Sequence, residues 1–297
     1  MNALADAGGL APDEALQRDV TRAALTALEG TQFALAGSGA IREHGLTDRP
    51  TQDVDLFTSD VDATRFSTAV DTVINELRLT GLQVDERRRV ESFAQLLVTT
   101  SDGRFVEIDM GVDSREGDPV TLSVGAVLSL DDAVGNKVSA LYSRAEDRDY
   151  LDVDAIRMSG KFTDAQLVDA AGERDAGFGI PMFITQLERA QRLTPERVAD
   201  YGVQPAQLAA IKERFATWTA ELRATASTPP VSPNLAPDLQ RGVDAPQVRN
   251  DSVTPTASHE HNQERLRKIL GDNDNDNDST GHSYDAPAPP TKLRHQP

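Results

Sequence analysis

Gly37-Ser38-Gly39 ends a short apolar run, Phe33-Ala34-Leu35-Ala36, and after a gap the length of one short helix comes Asp53-Val54-Asp55. A glycine-serine turn that opens a helix presents free backbone N–H groups, a natural seat for a phosphate. In Thr51-Gln52-Asp53-Val54-Asp55-Leu56-Phe57 the two-residue period of a strand sends Asp53 and Asp55 to one face and Val54 and Leu56 into a core. Two carboxylates on one face repel unless a cation lies between them. Mg²⁺ takes hard oxygen ligands and is commonly held by one or two carboxylates plus substrate phosphates. The two stretches together join a phosphate seat to a divalent-metal clamp, a combination that points to nucleotide chemistry.

A third acid comes from Arg104-Phe105-Val106-Glu107-Ile108-Asp109-Met110, where Val106, Ile108 and Met110 turn inward and Glu107 and Asp109 share the other face. Beside Asp53 and Asp55, Asp109 is expected to be a third metal ligand or the general base for an attacking hydroxyl. Positive charge follows on a helix, where Lys137, Leu141 and Arg144 lie at i, i+4 and i+7, so that one cation can hold a phosphate. In Arg148-Asp149-Tyr150-Leu151-Asp152, Asp149 and Asp152 share a face of the next helix. Taken alone, these charges read equally well as solvated surface pairs worth at most about 1 kcal/mol each. Arg49 is expected to brace its loop rather than touch phosphate. Arg87-Arg88-Arg89 reads as a solvated strand or turn, and the five histidines form no metal-spaced cluster. The run Asp272-Asn273-Asp274-Asn275-Asp276-Asn277-Asp278 lacks the glycine and glutamate of a calcium loop and reads as a solvated low-complexity stretch.

The elements that must position these residues follow from periodicity. A helix is predicted over 13–29, ended by Gly30, then a strand over 33–36, a helix over 39–45, a strand over 54–58 and a helix over 63–79. Strands follow at 83–90, 93–99 and 104–111, the last two joined at Ser101-Asp102-Gly103, a hairpin turn. From Ser129 the pattern becomes helical, with helices over 131–144, 145–158, 163–171, 180–192, 195–201 and 205–225. This predicts an α+β fold: an α/β domain over 1–128 with a mixed sheet, a helical domain over 129–226 that completes the site, and a disordered, Pro- and Asp-rich tail over 227–297 whose one candidate helix is 260–270.

Composition bounds the partners. The 297 residues are 38% hydrophobic, enough for a packed core, and carry no cysteine, which removes disulfides, thiolate zinc sites and cysteine nucleophiles. A formal net charge of −18 argues against polynucleotide binding through the whole surface. No apolar run is long enough for a membrane span, and the charged first thirty residues do not read as a secretory signal, so a cytoplasmic protein without membrane contact is expected.

The series Ala36-Gly37-Ser38-Gly39-Ala40, Arg49-Pro50-Thr51-Gln52-Asp53-Val54-Asp55-Leu56-Phe57, Asn136-Lys137-Val138-Ser139-Ala140-Leu141 with Arg144, and Arg148-Asp149-Tyr150-Leu151-Asp152-Val153 resembles the AbiEii family of nucleotidyltransferase toxins, with which the MenT-type toxins are grouped. The glycine-serine and Asp-x-Asp pair alone is common to the DNA polymerase β-like nucleotidyltransferase superfamily; the lysine and the Arg-Asp-x-x-Asp stretch narrow it. The resemblance implies a polymerase β-like sheet with a helical C-terminal half, and two Mg²⁺ ions assisting nucleotidyl transfer from a nucleoside triphosphate. It further implies the toxin of a type IV toxin–antitoxin or abortive-infection system, a tRNA acceptor, and an antitoxin that acts without direct binding. Residue by residue, Gly37 and Ser38 match the phosphate turn, Asp53 and Asp55 the metal pair, Lys137 the triphosphate-binding lysine and Asp152 the late acidic motif, whose neighbouring acid Asp149 can exchange roles with it; the catalytic set expected is Asp53, Asp55, Asp109, Lys137 and Asp152, and the nucleotide-binding set Gly37, Ser38, Lys137, Arg144 and Asp149. Gly37-Ser38-Gly39 stands where many relatives have a double glycine and threonine. A small-molecule nucleotidyltransferase of the aminoglycoside type, and a catalytically silent binding protein on the same scaffold, are the alternative readings.

Overall fold

The computed structural model describes residues 12–51 and 53–227. Helix α1 (Pro12–Ala27) leads into β1 (Ala34–Leu35), α2 (Gly37–Glu43), β2 (Asp53–Thr58), α3 (Ala63–Leu79), β3 (Gln83–Val90), β4 (Phe93–Thr99) and β5 (Phe105–Val112). A small hairpin, β6 (Val120–Leu122) with β7 (Gly125–Val127), precedes the helical half: α4 (Leu130–Ser143), α5 (Asp147–Met158), α6 (Asp164–Arg174), α7 (Ile180–Glu188), α8 (Pro195–Val198) and α9 (Pro205–Ser227).

The seven strands form one mixed sheet in the order β3-β4-β5-β2-β1-β7-β6. β2 runs parallel to β5 with Asp55 opposite Asp109, whereas β3, β4 and β5 are antiparallel neighbours. The hairpin between β4 and β5 turns at Gly103, whose φ of +87° lies in the region that glycine enters without steric cost. Burial alternates along β2 as the strand period requires, with Val54, Leu56 and Thr58 buried and Asp53, Asp55 and Phe57 partly exposed. α3 is capped by Asp62, which accepts the Arg65 N–H at 2.8 Å, and buries Phe66, Val70, Val73 and Leu77 at helical spacing.

Four details differ from the sequence-based expectation. α2 begins at Gly37 rather than 39, because Gly37 itself makes the turn. The hairpin of β6 and β7 was not expected, since three-residue strands carry too short an alternation to register. The helices over 131–144 and 145–158 are separated by Ala145, whose φ of +53° breaks the helix; α5 restarts behind a capping box of Glu146 and Asp149. The helices expected over 180–192 and 195–201 are α7 and α8, each followed by a 3₁₀ turn, Arg189–Arg192 and Ala199–Tyr201. The expected tail and its helix at 260–270 lie outside the described residues, apart from Ser227, which closes α9.

The helical half has an aromatic core. Phe183 meets Trp218 edge-on at 5.4 Å, Tyr150 meets Phe215 at the same distance, and all four rings are buried. The Tyr150 hydroxyl donates to the Gln186 carbonyl at 2.7 Å, and burial raises its pKa to about 12. Tyr150 lies between Asp149 and Asp152 on α5, so this packing from behind fixes the rotation of the helix that carries both acids.

Candidate active site

Gly37 sets the geometry of the site. Its φ is +57°, and a Cβ added there would lie 1.7 Å from Asp55 Oδ2. The preceding Ala36 N–H donates to the Asp55 carbonyl at 2.8 Å, so the turn and the acid are held against one another by backbone as well as by contact. Only glycine satisfies both the left-handed backbone and the close approach.

Ser38 is buried at the centre of a four-residue network. Its Oγ donates to Asp152 Oδ2 at 2.8 Å and accepts from Lys137 Nζ at 2.9 Å and Arg49 Nη2 at 2.6 Å. Asp152 is fully buried and also accepts from Arg49 Nε at 2.8 Å and pairs with Lys137 Nζ at 2.9 Å. Burial would push the Asp152 carboxyl up, but Lys137 and the Arg49 guanidinium overcome this and hold it down at about 2. The network ties the turn at α2, the loop before β2, α4 and α5 into one unit across more than a hundred residues of sequence. Arg49 thus braces the loop as the sequence suggested, through Asp152. Its guanidinium also lies 5.0 Å over the Tyr201 ring.

The two other arginines, Arg144 and Arg148, also meet acids. Asp149, fully buried, takes two bonds from Arg144, both at 3.0 Å; burial opposes the Arg144 charge, but these bonds raise its pKa overall. Asp53 Oδ2 accepts from Arg148 Nη1 at 2.9 Å, and Arg148 Nε in turn donates to Glu146 at 2.9 Å. Sequence reasoning gave roles to the acids of the Arg-Asp-x-x-Asp stretch and none to Arg148. Its signal is its position one residue before Asp149 at the start of a helix that faces an acid-bearing strand.

Asp55 and Asp109 remain. They are register partners on parallel strands and face the same side of the sheet. Among the described residues no hydrogen bond or ion pair reaches the Asp55 carboxylate. Burial pushes its pKa up, Lys137 opposes this and Asp53 adds to it. Asp109 accepts one bond, from Gln95 Nε2 at 3.1 Å, and burial together with the Asp55 charge raises its carboxyl to about 6. The site therefore brings together Gly37, Ser38, Asp53, Asp55, Asp109, Lys137, Arg144, Asp149 and Asp152, and leaves the excess negative charge between Asp55 and Asp109, with Asp53 one pleat away.

A donor set made wholly of carboxylate oxygens fits a hard divalent cation. Among the described residues no three His, Cys, Asp or Glu side chains are drawn together as the ligands of one ion. Mg²⁺ does not require this, since phosphates and water complete its shell. A cavity of about 460 Å³ opens on the far side of Arg49, lined among others by Tyr201, Asp154 and Arg214; it shares Arg49 with the network but none of the strand acids.

The structure is similar to JHP933 of Helicobacter pylori, 13% identical, with a TM-score of 0.47 over 73% of this chain and 97% of that one. It is also similar to MenT4, a nucleotidyltransferase toxin of Mycobacterium tuberculosis H37Rv, 17% identical, with a TM-score of 0.48 over 72% of this chain and 88% of that one. No curated protein sequence matches significantly. The family model described as nucleotidyl transferase AbiEii toxin, type IV toxin–antitoxin system, matches residues 19–244, well over half of the chain, and the match spans every acid and cation of the site. The chain belongs to the AbiEii nucleotidyltransferase toxin family.

Proposed function

We propose that this nucleotidyltransferase moves a nucleotidyl group from a Mg²⁺-bound nucleoside triphosphate to an acceptor hydroxyl, as the cytoplasmic toxin of a type IV toxin–antitoxin system. The observation that carries the reading is the adjacency of Asp55 and Asp109, side by side with no cation hydrogen-bonded or ion-paired to either carboxylate among the described residues, and with Asp55 hard against Gly37. When bound, two Mg²⁺ ions would neutralise the triphosphate and acidify the acceptor hydroxyl, with Asp53, Asp55 and Asp109 as their ligands.

The remaining roles belong to the chain itself. Gly37 leaves the space that a phosphate and the Asp55 carboxylate need in common. Lys137 Nζ meets Ser38 and Asp152 at 2.9 Å and lies 4.0 Å from Asp149 Oδ1; its third N–H, beyond hydrogen-bond distance of Asp149, supports a phosphate contact. Arg144 and Arg148 keep part of their surface in solvent, which suits cations that meet a triphosphate at the mouth of the site. Where Asp109 is not itself a metal ligand, it is the base that accepts the acceptor's proton. In this reading residues 1–128 carry the three metal acids, and residues 129–226 supply Lys137, Arg144, Asp149 and Asp152.

The acceptor class suggested by the family is tRNA, and the antitoxin is expected to act without direct binding. The test is incubation of the full chain with each α-labelled triphosphate, Mg²⁺ and total RNA or cell extract. Label on tRNA supports the toxin reading. Label on a small molecule supports the aminoglycoside-type alternative, to which the net charge of −18 is better suited, and no label at all supports a silent binding protein.

A further inference from the structure

Arg148 is the one cation of the site whose pairing occupies a proposed metal ligand. Its Nη1 lies 2.9 Å from Asp53 Oδ2, while Nε is held 2.9 Å from Glu146 Oε2, the residue that caps α5. Two anchors of different kind result. Glu146 belongs to the same helix start as Arg148 and moves with it; Asp53 belongs to the sheet. The guanidinium bridges the two halves of the site, and its bond to Glu146, made within the start of α5, does not depend on its bond to Asp53. The other site cations have no such freedom: Arg49 and Lys137 are nearly fully buried against Asp152, and Arg144 is fixed by both oxygens of Asp149. Arg148 and Asp53 each keep about a third of their side-chain surface exposed.

We propose that Arg148 is a positioning residue that serves as a built-in placeholder cation: it occupies Asp53 in the free protein, so that a divalent ion alone binds poorly, and it yields Asp53 when metal and triphosphate arrive together. The inference rests on the proposed metal-dependent transfer and adds an order of assembly to it. A guanidinium donates hydrogen bonds to phosphate as readily as to carboxylate. The incoming triphosphate therefore offers Arg148 a replacement partner at the moment the ion claims Asp53. An ion without nucleotide offers none, and must compete with Arg148 for the carboxylate.

The test is Mn²⁺ binding by the full-length protein, read by electron paramagnetic resonance, with and without a mixture of the four α,β-methylene nucleoside triphosphates, which cannot be cleaved at the bond that transfer breaks. For wild type, weak Mn²⁺ binding alone and clear binding with the analogues is expected. In Arg148→Gln the affinity for Mn²⁺ alone should rise about two- to fivefold, the range set by a partly exposed ion pair, whereas the gain conferred by the analogues should shrink. Arg148→Lys, which keeps the charge, should stay near wild type. Circular dichroism checks that both variants are folded. Unchanged Mn²⁺ affinity in Arg148→Gln, with wild type still binding Mn²⁺ in the presence of the analogues, overturns the placeholder role alone. Absence of Mn²⁺ binding by either protein under both conditions overturns the metal reading and the placeholder role with it.

Discussion

Replacing Gly37 by alanine tests the contact on which the site geometry depends, and its effect separates into two parts. The backbone part arises because φ at Gly37 is +57°, where a Cβ costs roughly 1–2 kcal/mol. The second part is local: the new methyl would lie 1.7 Å from Asp55 Oδ2 and 2.6 Å from Asp55 Cγ, so the carboxylate must move by more than about 1 Å. Overpacking of this kind adds about 1–3 kcal/mol, for a total loss of about 2–5 kcal/mol. A displacement on that scale at a reacting centre lowers the rate about 100-fold. Gly30→Ala supplies the control. Gly30 has a φ of +78° with nothing within 4 Å of an added Cβ, so it incurs the backbone cost alone. Urea denaturation should show Gly37→Ala losing more stability than Gly30→Ala, and label transfer from α-labelled triphosphates should fall about 100-fold in the first and stay near wild type in the second. Equal stability losses together with equal transfer would refute the argument that Gly37 exists to seat Asp55.

Two further outcomes follow from the charges. Asp152→Asn leaves buried Arg49 and Lys137 without their counter-charge and should cost about 3–5 kcal/mol in urea. The wild-type pH dependence has a defined sign: because the Asp152 pKa is lowered to about 2, its contribution is complete above about pH 4 and disappears as pH falls towards 2. The acid limb of a stability–pH curve should therefore be shallower in the variant. Asp109 has the opposite sign. With its pKa raised to about 6, the folded state holds a proton that the unfolded state has lost between about pH 4 and 6, so stability falls as pH rises through that window. Asp109→Asn should flatten this slope and make the metal-free protein more stable at pH 7 than wild type, while transfer is lost; equal stability of the two proteins at pH 7 would count against the crowding of Asp55 and Asp109.

Much of the site was legible because it depends on local period. The alternation in Asp53-Val54-Asp55-Leu56 and in Val106-Glu107-Ile108-Asp109 places acids on one sheet face with no knowledge of the fold, and the observed burial follows it. The helical spacing of Asp149 and Asp152 was readable in the same way. The pairing was not. Which cation meets which acid depends on contacts that span 95 residues for Arg148 with Asp53, 103 for Arg49 with Asp152 and 114 for Ser38 with Asp152. Periodicity carries no information at that range. It therefore could not show that Asp152 is a fully paired anchor, or that the unmet charge falls on Asp55 and Asp109. The break between the helices over 131–144 and 145–158 was readable, but the left-handed turn at Ala145 was not: alanine is a strong helix former, and only the capping box of α5 with the packing behind it fixes the turn there.

The central claim is that Asp53 and Asp55 serve transfer rather than folding. The most direct measurement pairs label transfer from α-labelled triphosphates in the presence of Mg²⁺ with urea denaturation of the same Asp53→Ala and Asp55→Ala preparations. Loss of transfer in both variants, with Asp55→Ala at least as stable as wild type, is the predicted result. Transfer at the wild-type level in either variant would contradict it.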